Sequence, residues 1–520
     1  MLANLILAAG TALVPAVREF ESGDGSCAVT SRVSYTTADW PDFDRVGQCL
    51  KESVVRRTDA TLPPEGYALR VSPGRIEIAS SDGAGAFYAE QTLRQLATLT
   101  SSNAIALPCC RIRDWPQYGW RGMLVDEARH FLGKDVLRRV LDNMAAHKLN
   151  VLHWHLTDDQ GWRLDIPGHP EIVQYGAVRP ESVRFGANAS TTPPAYRLHY
   201  ETDGQRYGPY FYTAEDVAEI LAYAKARHIR VVPEIELPGH ARALLASHPE
   251  FACRGTELKR EPRVWWQVEK DVICIGNDGA MRLYEEIFDA VCGMFPEAPL
   301  IHFGGDECPR ERWKTCPKCQ SRLKAIGGKG EGALQAWMST RMSAYLAGKG
   351  RRAAAWDEVL SGSIPTSTVI TTWEVPDTSL SDGDYRYVSP MEALRIGFDV
   401  VRVPLDFCYF SLPQGLPHDP YPYYSPRHPG LNLRKAYSFD PAAGVPSDAK
   451  GRILGGQCAL WGESIWNVFD LEWKTWPRAC ATAEVLWLGD AKPGWEDFRR
   501  RMEVHRLRLL DAKINCAPLE

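Results

Sequence analysis

The stretch that decides the fold is Ala298-Pro299-Leu300-Ile301-His302-Phe303-Gly304-Gly305-Asp306-Glu307, in which an apolar run ends at two adjacent carboxylates. The apolar half is typical of a buried strand, and the double glycine marks a turn after it. Two neighbouring carboxyl groups push their pKa values apart, so that one can hold a proton while the other is ionised. The pair is therefore a candidate for acid catalysis, and the alternative is a solvated loop or helix N-terminus.

Seven other short runs share the strand pattern of this stretch, and amphipathic segments separate several of them. The eight strands are predicted at residues 123–125, 150–156, 229–235, 300–303, 353–356, 369–373, 400–403 and 453–460. Helices are predicted at residues 136–147 and after Thr213, which is a favourable N-cap. Eight strands that alternate with helices predict a (β/α)8 TIM barrel, which is an α/β fold.

The region before residue 113 has a different pattern from the barrel. Residues 67–71 and 76–78 alternate between apolar and polar positions around a turn, and a helix is predicted at residues 85–99. This pattern indicates a small α+β domain, with a junction near Arg113-Asp114-Trp115-Pro116. We therefore predict an N-terminal domain at residues 1–112 and the barrel at residues 113–520.

The composition excludes some classes of protein. The 520 residues are 45% hydrophobic and 24% charged, with a formal net charge of −5, which is typical of a soluble globular protein. The acidic balance argues against a nucleic-acid partner, and no apolar stretch reaches membrane-spanning length. Residues 1–10 resemble the apolar part of an export signal without its positive start, and a strand is the alternative.

The 14 cysteines leave the compartment open. Cys316-Pro317-Lys318-Cys319 is a lone CxxC motif with Cys308 nearby, and no fourth ligand for a zinc ion is evident. Structural thiols or a disulfide are therefore favoured over a metal, and Cys253 and Cys274 are close enough in sequence to pair. Asn188-Ala189-Ser190 is a glycosylation sequon only in a eukaryotic secretory context.

Carboxylates and tryptophans recur where the predicted strands end. In a barrel of this kind the active site lies at the carboxyl ends of the strands. Carboxylates accept hydrogen bonds from hydroxyls and indoles stack on apolar sugar faces, so this set favours a neutral polyol ligand over a metal or phosphate. The residues are Asp126, Asp158, Asp159, Glu234, Glu236, Asp306, Glu307, Asp357, Glu358, Glu374, Glu463, Trp356, Trp373 and Trp461.

At these residues the chain resembles the family 20 glycoside hydrolases, the β-N-acetylhexosaminidases. The similarity runs from the small N-terminal domain through nearly the whole chain. Its most specific blocks are Arg121–Asp126, Arg129-His130, His153–Asp159, Pro233–His240, His302–Glu307, Trp356-Asp357-Glu358 and Gln457–Glu463. The resemblance implies an enzyme that removes terminal β-linked N-acetylglucosamine or N-acetylgalactosamine from oligosaccharides or glycoconjugates.

The resemblance also implies a mechanism in which the sugar's own 2-acetamido oxygen is the nucleophile, an exception to the usual two-carboxylate scheme. Glu307 would be the general acid and later the base, and Asp306 would hold the acetamide N–H. Tyr409 matches the tyrosine that binds the acetamide oxygen. No cofactor is implied, and no metal ion is expected in the catalytic site.

Further residues match the substrate-binding positions of the family. Arg129 and Glu463 correspond to groups that bind the 3- and 4-hydroxyls, and Asp158 and His240 to a polar relay beside the acid. The pocket walls correspond to Trp356, Trp373 and Trp461.

Two positions depart from the family pattern. Where the family often has an acid or amide facing the sugar's 6-hydroxyl, this chain has Ser411. A shorter neutral side chain weakens that contact and allows either a substituted 6-position or a contact from another residue. Glu236 stands where some members have aspartate.

Three alternatives remain at this point. His153 and His155 share one strand face, as ligands of a metal-dependent amidohydrolase would. A barrel can also bind amino sugars without cleaving them, and a retaining glycosidase can use a carboxylate nucleophile. Export to the periplasm or the outside is favoured, because such substrates usually lie there.

Overall fold

The computed structural model of the protein describes most of the chain. The described residues are 12–30, 50, 53–101, 104–185, 200–202, 204–266, 268–373, 388–416, 419 and 430–519. The apolar start at residues 1–10, the sequon at Asn188 and the acid Glu374 lie outside them.

In the N-terminal part, the described residues include a six-stranded sheet and a helix that covers it. Its strands are β1 (Glu19–Thr30), β2 (Val54–Thr58), β3 (Tyr67–Ser72), β4 (Arg75–Ser80), β5 (Thr98–Ser101) and β6 (Ala104–Asp114). They lie in the order β1-β6-β3-β4-β2, with β5 on β6. Helix α1 (Gly83–Leu96) begins where the Asp82 side chain accepts a hydrogen bond from the Gly85 N–H, and it packs on β3 and β4. The predicted hairpin and helix of a small α+β domain are confirmed.

Eight parallel strands close a barrel in the second part. The barrel strands are β7 (Trp120–Asp126), β8 (Val151–His155), β13 (Arg230–Glu234), β14 (Leu300–His302), β15 (Arg352–Trp356), β16 (Val369–Thr372), β17 (Val400–Arg402) and β18 (Ile453–Leu460). Each predicted strand is present, so the TIM-barrel prediction is confirmed. The largest difference is at the start of β7, which begins at Trp120 rather than at 123.

The register of the strands places polar residues side by side at one end of the barrel. His155 pairs with Asp126 on one side and with Glu234 on the other, and Glu234 pairs with His302. Because parallel strands share a direction, the residues that follow these four lie at the same rim.

Four short strands belong to the loops around that rim. They are β9 (Thr157–Asp158), β10 (Gly161–Trp162), β11 (Val183–Phe185) and β12 (Tyr200–Thr202), which pair as two antiparallel hairpins. The second hairpin lies inside residues 179–212, between the barrel strands β8 and β13.

Helices surround the barrel and complete its hydrophobic core. They are α2 (Lys134–Ala146), α3 (Pro170–Gly176), α4 (Ala214–Lys225), α5 (Arg242–Ser247), α6 (Asp278–Met294), α7 (Glu311–Thr315), α8 (Pro317–Ala325), α9 (Gly332–Gly348), α10 (Pro390–Ile396), α11 (Leu405–Cys408), α12 (Leu433–Tyr437), α13 (Val468–Thr475), α14 (Arg478–Leu488) and α15 (Trp495–Asp511). Thr213 caps α4 in a capping box, as predicted. Of the helices that the structure describes, none is long and apolar enough to cross a bilayer.

Asp114 joins the two parts of the molecule through buried polar contacts. Its carboxylate is 3.0 Å from Lys148 Nζ and accepts hydrogen bonds from the Tyr67 hydroxyl at 2.7 Å and the Trp487 indole at 2.9 Å. Asp114 and Lys148 are both essentially unexposed. The division at residues 112 and 113 stays a prediction, and β6 extends to Asp114.

The expectation that the CxxC motif stands alone is wrong. The fold brings Cys253 and Cys274 to Cys316 and Cys319, although 42 residues separate the nearest members of the two pairs. Cys308 is not a member of this group. No disulfide joins the cysteines that the structure describes.

Candidate active site

Each of the eight barrel strands contributes at least one of the predicted site residues, directly at its carboxyl end or in the loop after it. These residues are, in strand order from β7 and β8 to β18, Arg129, Asp158, His240, Asp306, Glu307, Trp356, Trp373, Tyr409, Trp461 and Glu463. Direct contacts and electrostatic interactions connect them into one site, so the structure brings together the whole predicted set.

A tight turn after β14 presents the carboxylate pair. Gly304 and Gly305 have φ angles of +65° and +100°, and a Cβ atom on Gly304 would lie 1.8 Å from Glu236 Oε2. Only glycine fits there, because it tolerates left-handed backbone and leaves room for the Glu236 carboxylate. The double glycine of the motif is therefore required by the turn.

Two site residues have left-handed backbone without being glycine. Glu307 has φ 42° and His240 has φ 45°. Such backbone costs on the order of 1–3 kcal/mol per residue and is concentrated at functional sites. The surrounding structure therefore holds both side chains in place at a cost in stability.

Asp158, His240 and Glu307 form a relay. His240 Nδ1 lies 3.3 Å from Asp158 Oδ1, and His240 Nε2 lies 3.4 Å from Glu307 Oε2. Burial alone lowers the pKa of His240, but Asp158, Asp159 and Glu307 raise it well above its usual range. His240 is therefore held in its charged form, with Nε2 facing the Glu307 carboxyl.

Asp306 lies deeper than Glu307. The two side chains are 14% and 30% exposed, and Asp306 Oδ2 is 3.8 Å from His240 Nε2. Burial raises the pKa of Asp306 well above its usual range, His240 opposes this, and the carboxylates of Glu358, Glu234 and Glu307 add to it. Asp306 Oδ1 has no hydrogen-bond partner among the described residues, so an acceptor remains for a ligand.

Arg129 is held in a cage of acids. Its guanidinium lies 2.9 Å from both Asp126 Oδ2 and Asp158 Oδ2, and 3.8 Å from Glu463 Oε1. The Asp158 and Asp126 charges overcome the effect of burial and raise the pKa of Arg129 well above its usual range. Arg129 is thus a fixed cation beside an acid, an arrangement that can bind adjacent hydroxyls.

Aromatic rings pack against one another at the site. Trp356 and Trp461 have ring centroids 5.8 Å apart, and Trp461 lies 5.9 Å from Tyr409. Trp373 and Tyr409 are nearly parallel, at 8° and 6.3 Å. Burial, with Asp306 and Glu358, raises the pKa of Tyr409 well above its usual range, so its hydroxyl remains a donor.

Beneath the site, the buried Glu234 carboxylate contacts four neighbouring side chains, and this cluster is called the hub. His153 Nε2, His302 Nδ1 and the Trp356 indole N–H lie within 2.7–3.1 Å of its carboxylate, and His155 also contacts it. Burial lowers the pKa of His153 to about 4, whereas the charges of Glu234 and Asp158 overcome burial and raise that of His155 to about 10.

These hub groups are close enough together to hold a metal ion, but they are unexposed and covered by Trp356. A substrate cannot reach them as it would reach the ligands of an amidohydrolase. The hub instead holds the strand ends together.

Two residues at the site, Glu358 and Lys474, have no role that the sequence predicts. Glu358 follows Trp356, and burial together with Asp357 and Glu307 raises its pKa well above the usual range. Its sequence signals were its place at a strand end and its position in the block Trp356-Asp357-Glu358. Lys474, on α13, donates a hydrogen bond from Nζ to the Ser411 carbonyl at 2.7 Å, and burial lowers its pKa to about 7. No sequence signal connects Lys474 with Ser411, which is itself buried.

Two family models together match nearly all of the chain. The model of the glycosyl hydrolase family 20 catalytic domain matches residues 118–490, and that of domain 2 of the same family matches residues 11–115.

Individual proteins give the same result. The chain is 36% identical to a β-hexosaminidase of Porphyromonas gingivalis over 464 residues, which is 87% of this chain but 54%, about half, of that protein. It is 32% identical to a β-hexosaminidase of Akkermansia muciniphila over 454 residues, 86% of this chain and 85% of that protein.

Among solved structures, the fold matches an exo-β-N-acetylglucosaminidase of Vibrio harveyi in complex with N-acetylglucosamine. The TM-score is 0.79 at 29% identity, over 98% of this chain and 78% of that one. The chain therefore belongs to glycosyl hydrolase family 20.

Proposed function

We propose that this protein is an exo-acting retaining glycosidase that releases terminal β-linked N-acetylglucosamine or N-acetylgalactosamine. The observation that carries the proposal is the Asp306-Glu307 pair, tied to the His240 relay and set in an aromatic pocket beside Arg129. A protein that only binds sugars needs groups that accept hydrogen bonds from the hydroxyls and rings that stack on the sugar. It does not need a carboxylic acid in contact with a charged histidine.

In the first step Glu307 protonates the glycosidic oxygen, and the bond from that oxygen to C1 breaks. The acetamide carbonyl oxygen of the same sugar attacks C1, so the electron pair of the broken bond leaves with the aglycone alcohol. The product is a cyclic oxazolinium ion and a Glu307 carboxylate. Glu307 suits this role because it is the more exposed member of the pair, so its carboxyl can reach the departing oxygen.

In the second step the Glu307 carboxylate takes a proton from water while the water oxygen attacks C1. The C1–O bond of the oxazolinium ring breaks, which restores the acetamide and regenerates the acid. Two inversions at C1 leave the released sugar in the β configuration.

Asp306 and Tyr409 act on the acetamide group. The Tyr409 hydroxyl donates to its oxygen, and Asp306 accepts from its N–H. The positive charge that develops on the ring favours the ionised form of Asp306, which in turn stabilises that charge. Asp306 Oδ1 is an acceptor without a hydrogen-bond partner in the described part of the protein, and this supports the role.

The test compares aryl N-acetyl-β-glucosaminide with aryl β-glucoside, because glucose lacks the internal nucleophile. We expect turnover of the first and near absence of turnover of the second, with the β-anomer as the first product by NMR. Comparable rates on both sugars would indicate a carboxylate nucleophile. Binding of N-acetylglucosamine without hydrolysis would indicate a non-catalytic sugar-binding protein.

We further propose that the natural substrate is the non-reducing end of an oligosaccharide or glycoconjugate and that the protein is exported. The sugar that is turned over fastest in a panel of terminal sugars would identify the preferred end. Cell fractionation tests export, and activity confined to the cytoplasm would contradict it.

A further inference from the structure

Four cysteine side chains meet outside the active site, at a point where two distant segments of chain come together. Cys253 and Cys274 belong to the segment after β13, and Cys316 and Cys319 to the segment after β14. All four sulfur atoms lie within 4.8 Å of one another.

The spacing of the sulfurs fits four ligands around one ion. The distances are 3.7 Å for Cys253–Cys319, 3.7 Å for Cys274–Cys316 and 3.6 Å for Cys274–Cys319. A zinc–sulfur bond of about 2.3 Å in a regular tetrahedron separates the sulfurs by about 3.8 Å. A disulfide would hold two sulfurs at about 2.05 Å, which is much shorter than any of these three distances.

The surrounding residues largely shield the four cysteines from solvent, as they do in structural zinc sites. Three of the cysteines are buried and Cys253 is partly buried. Cys316 and Cys319 lie at the start of α8, where the helix dipole favours thiolates, and the Gly276 N–H donates toward the sulfurs of Cys274 and Cys319. The backbone of Gly276 approaches α8 so closely that a Cβ atom there would lie 2.1 Å from the Lys318 carbonyl carbon.

We propose that Cys253, Cys274, Cys316 and Cys319 bind a structural zinc ion. Each thiol loses its proton when the metal binds, and the four thiolates fill the tetrahedral shell, so no position is open for catalysis. The site takes a soft, redox-inert divalent cation, and it plays no part in glycoside cleavage.

The zinc would hold together the two loops that carry the acid and its relay. The Ile273 N–H, next to Cys274, donates to the Pro238 carbonyl at 3.0 Å, two residues before His240. The Trp313 indole, three residues before Cys316, donates to the Ile273 carbonyl at 2.9 Å. The cluster therefore connects the loop of His240 with the segment that follows Glu307, and both residues have costly backbone conformations.

The first experiment measures metal content and thiol state in the full-length protein as purified without added metal. We expect one zinc per chain by inductively coupled plasma mass spectrometry and release of that zinc by a mercurial reagent. Cobalt in its place should give the sulfur-to-cobalt charge-transfer absorption of a four-thiolate site. Protein without bound zinc, whether its four cysteines are free or joined in disulfides by peptide mass mapping, would overturn the proposal.

The second experiment compares Cys253→Ser with Cys292→Ser, a partly buried cysteine outside the cluster. Cys253→Ser should lose the bound zinc and lower the Tm by several degrees, while Cys292→Ser keeps both. Zinc retained in full by Cys253→Ser would contradict the ligand set. If Cys253→Ser does not fold, zinc release from the wild-type protein with a parallel fall in Tm supplies the same evidence.

Discussion

The two carboxylates of the pair have different surroundings although they are neighbours in sequence. Asp306 is buried against further acids and lies 3.8 Å from His240 Nε2, whereas Glu307 has more than twice the exposed fraction and lies 3.4 Å from the same nitrogen. A general acid must reach the aglycone oxygen, which lies at the open side of a pocket. Position, rather than residue type, therefore separates the two roles.

Glu307→Gln should abolish most activity on substrates with poor leaving groups, because glutamine cannot protonate the departing oxygen. General acids contribute roughly 10²–10⁴-fold, so we expect a loss of that order on a disaccharide and a smaller loss on an aryl glycoside with an acidic phenol. Steady-state kcat/KM on both substrates checks this. The control is Glu311→Gln at the exposed start of α7, and equal losses on both substrates would remove Glu307 from the acid role.

His155 gives the hub a pH-dependent contribution to stability. Its pKa is raised from 6.5 to about 10 in the folded chain, where Glu234 and Asp158 favour the charged form against burial. The folded state then keeps a proton that the unfolded state releases, so the stabilisation is complete below about pH 6.5 and is lost as the pH rises through about 10. In urea unfolding, the free energy of unfolding of the wild type should exceed that of His155→Gln. The difference should shrink from pH 6 to pH 10. A constant margin, or a wild-type NMR titration near 6.5, would contradict this.

At the scale of elements, the turn between β14 and the Asp306-Glu307 pair allows a direct test of how backbone geometry positions the site. Gly304→Ala adds a Cβ that meets the Glu236 carboxylate, whereas Gly74→Ala adds one at nearly the same φ, +73°, in open space. Both substitutions cost the left-handed penalty of about 1–2 kcal/mol, so the comparison isolates the clash. We expect Gly304→Ala to lower both the Tm and kcat well beyond Gly74→Ala. Similar Tm values for the two variants would mean that Glu236 moves freely.

The sequence predicts the elements well where the signal is local. The eight barrel strands are apolar runs bounded by turn residues, and Thr213 is recognisable as an N-cap from its own neighbours. The hairpin of β11 and β12 was missed because its strands are three residues long and lie far apart in sequence. Local patterns do not report such pairings.

Site residues, like helices and strands, could be predicted where the signal is local. The rim residues could be predicted because each follows a strand and a barrel brings strand ends together. Their roles came from the resemblance to the family and stay proposals. The contact of Lys474 with Ser411 and the meeting of two cysteine pairs depend on loop packing, for which neither spacing nor composition carries a signal.

At the scale of the whole molecule, Asp114 connects the N-terminal sheet with the barrel. Its buried pair with Lys148 is supplemented by Tyr67 and by Trp487 of α14, so groups from both parts satisfy one carboxylate. Removal of one partner leaves a buried charge without its counterpart.

Asp114→Asn should therefore lower the free energy of unfolding by about 3–5 kcal/mol, because Lys148 would be left buried without its counterion. The matched control is Asp289→Asn, which breaks the exposed pair with Lys349 and should cost at most about 1 kcal/mol. Denaturant titration measures both. Equal losses would mean that solvent reaches the junction in the folded protein.

The left-handed backbone at Glu307 and His240 has a consequence for directed evolution of this protein. Glycine is favoured at such φ angles, so replacement of Glu307, the more exposed of the two, by glycine relieves strain while it removes the acid. A selection for heat resistance alone would therefore enrich inactive clones. Library screens on this scaffold need to apply heat and turnover together, since here the most durable chain and the most active chain are different sequences.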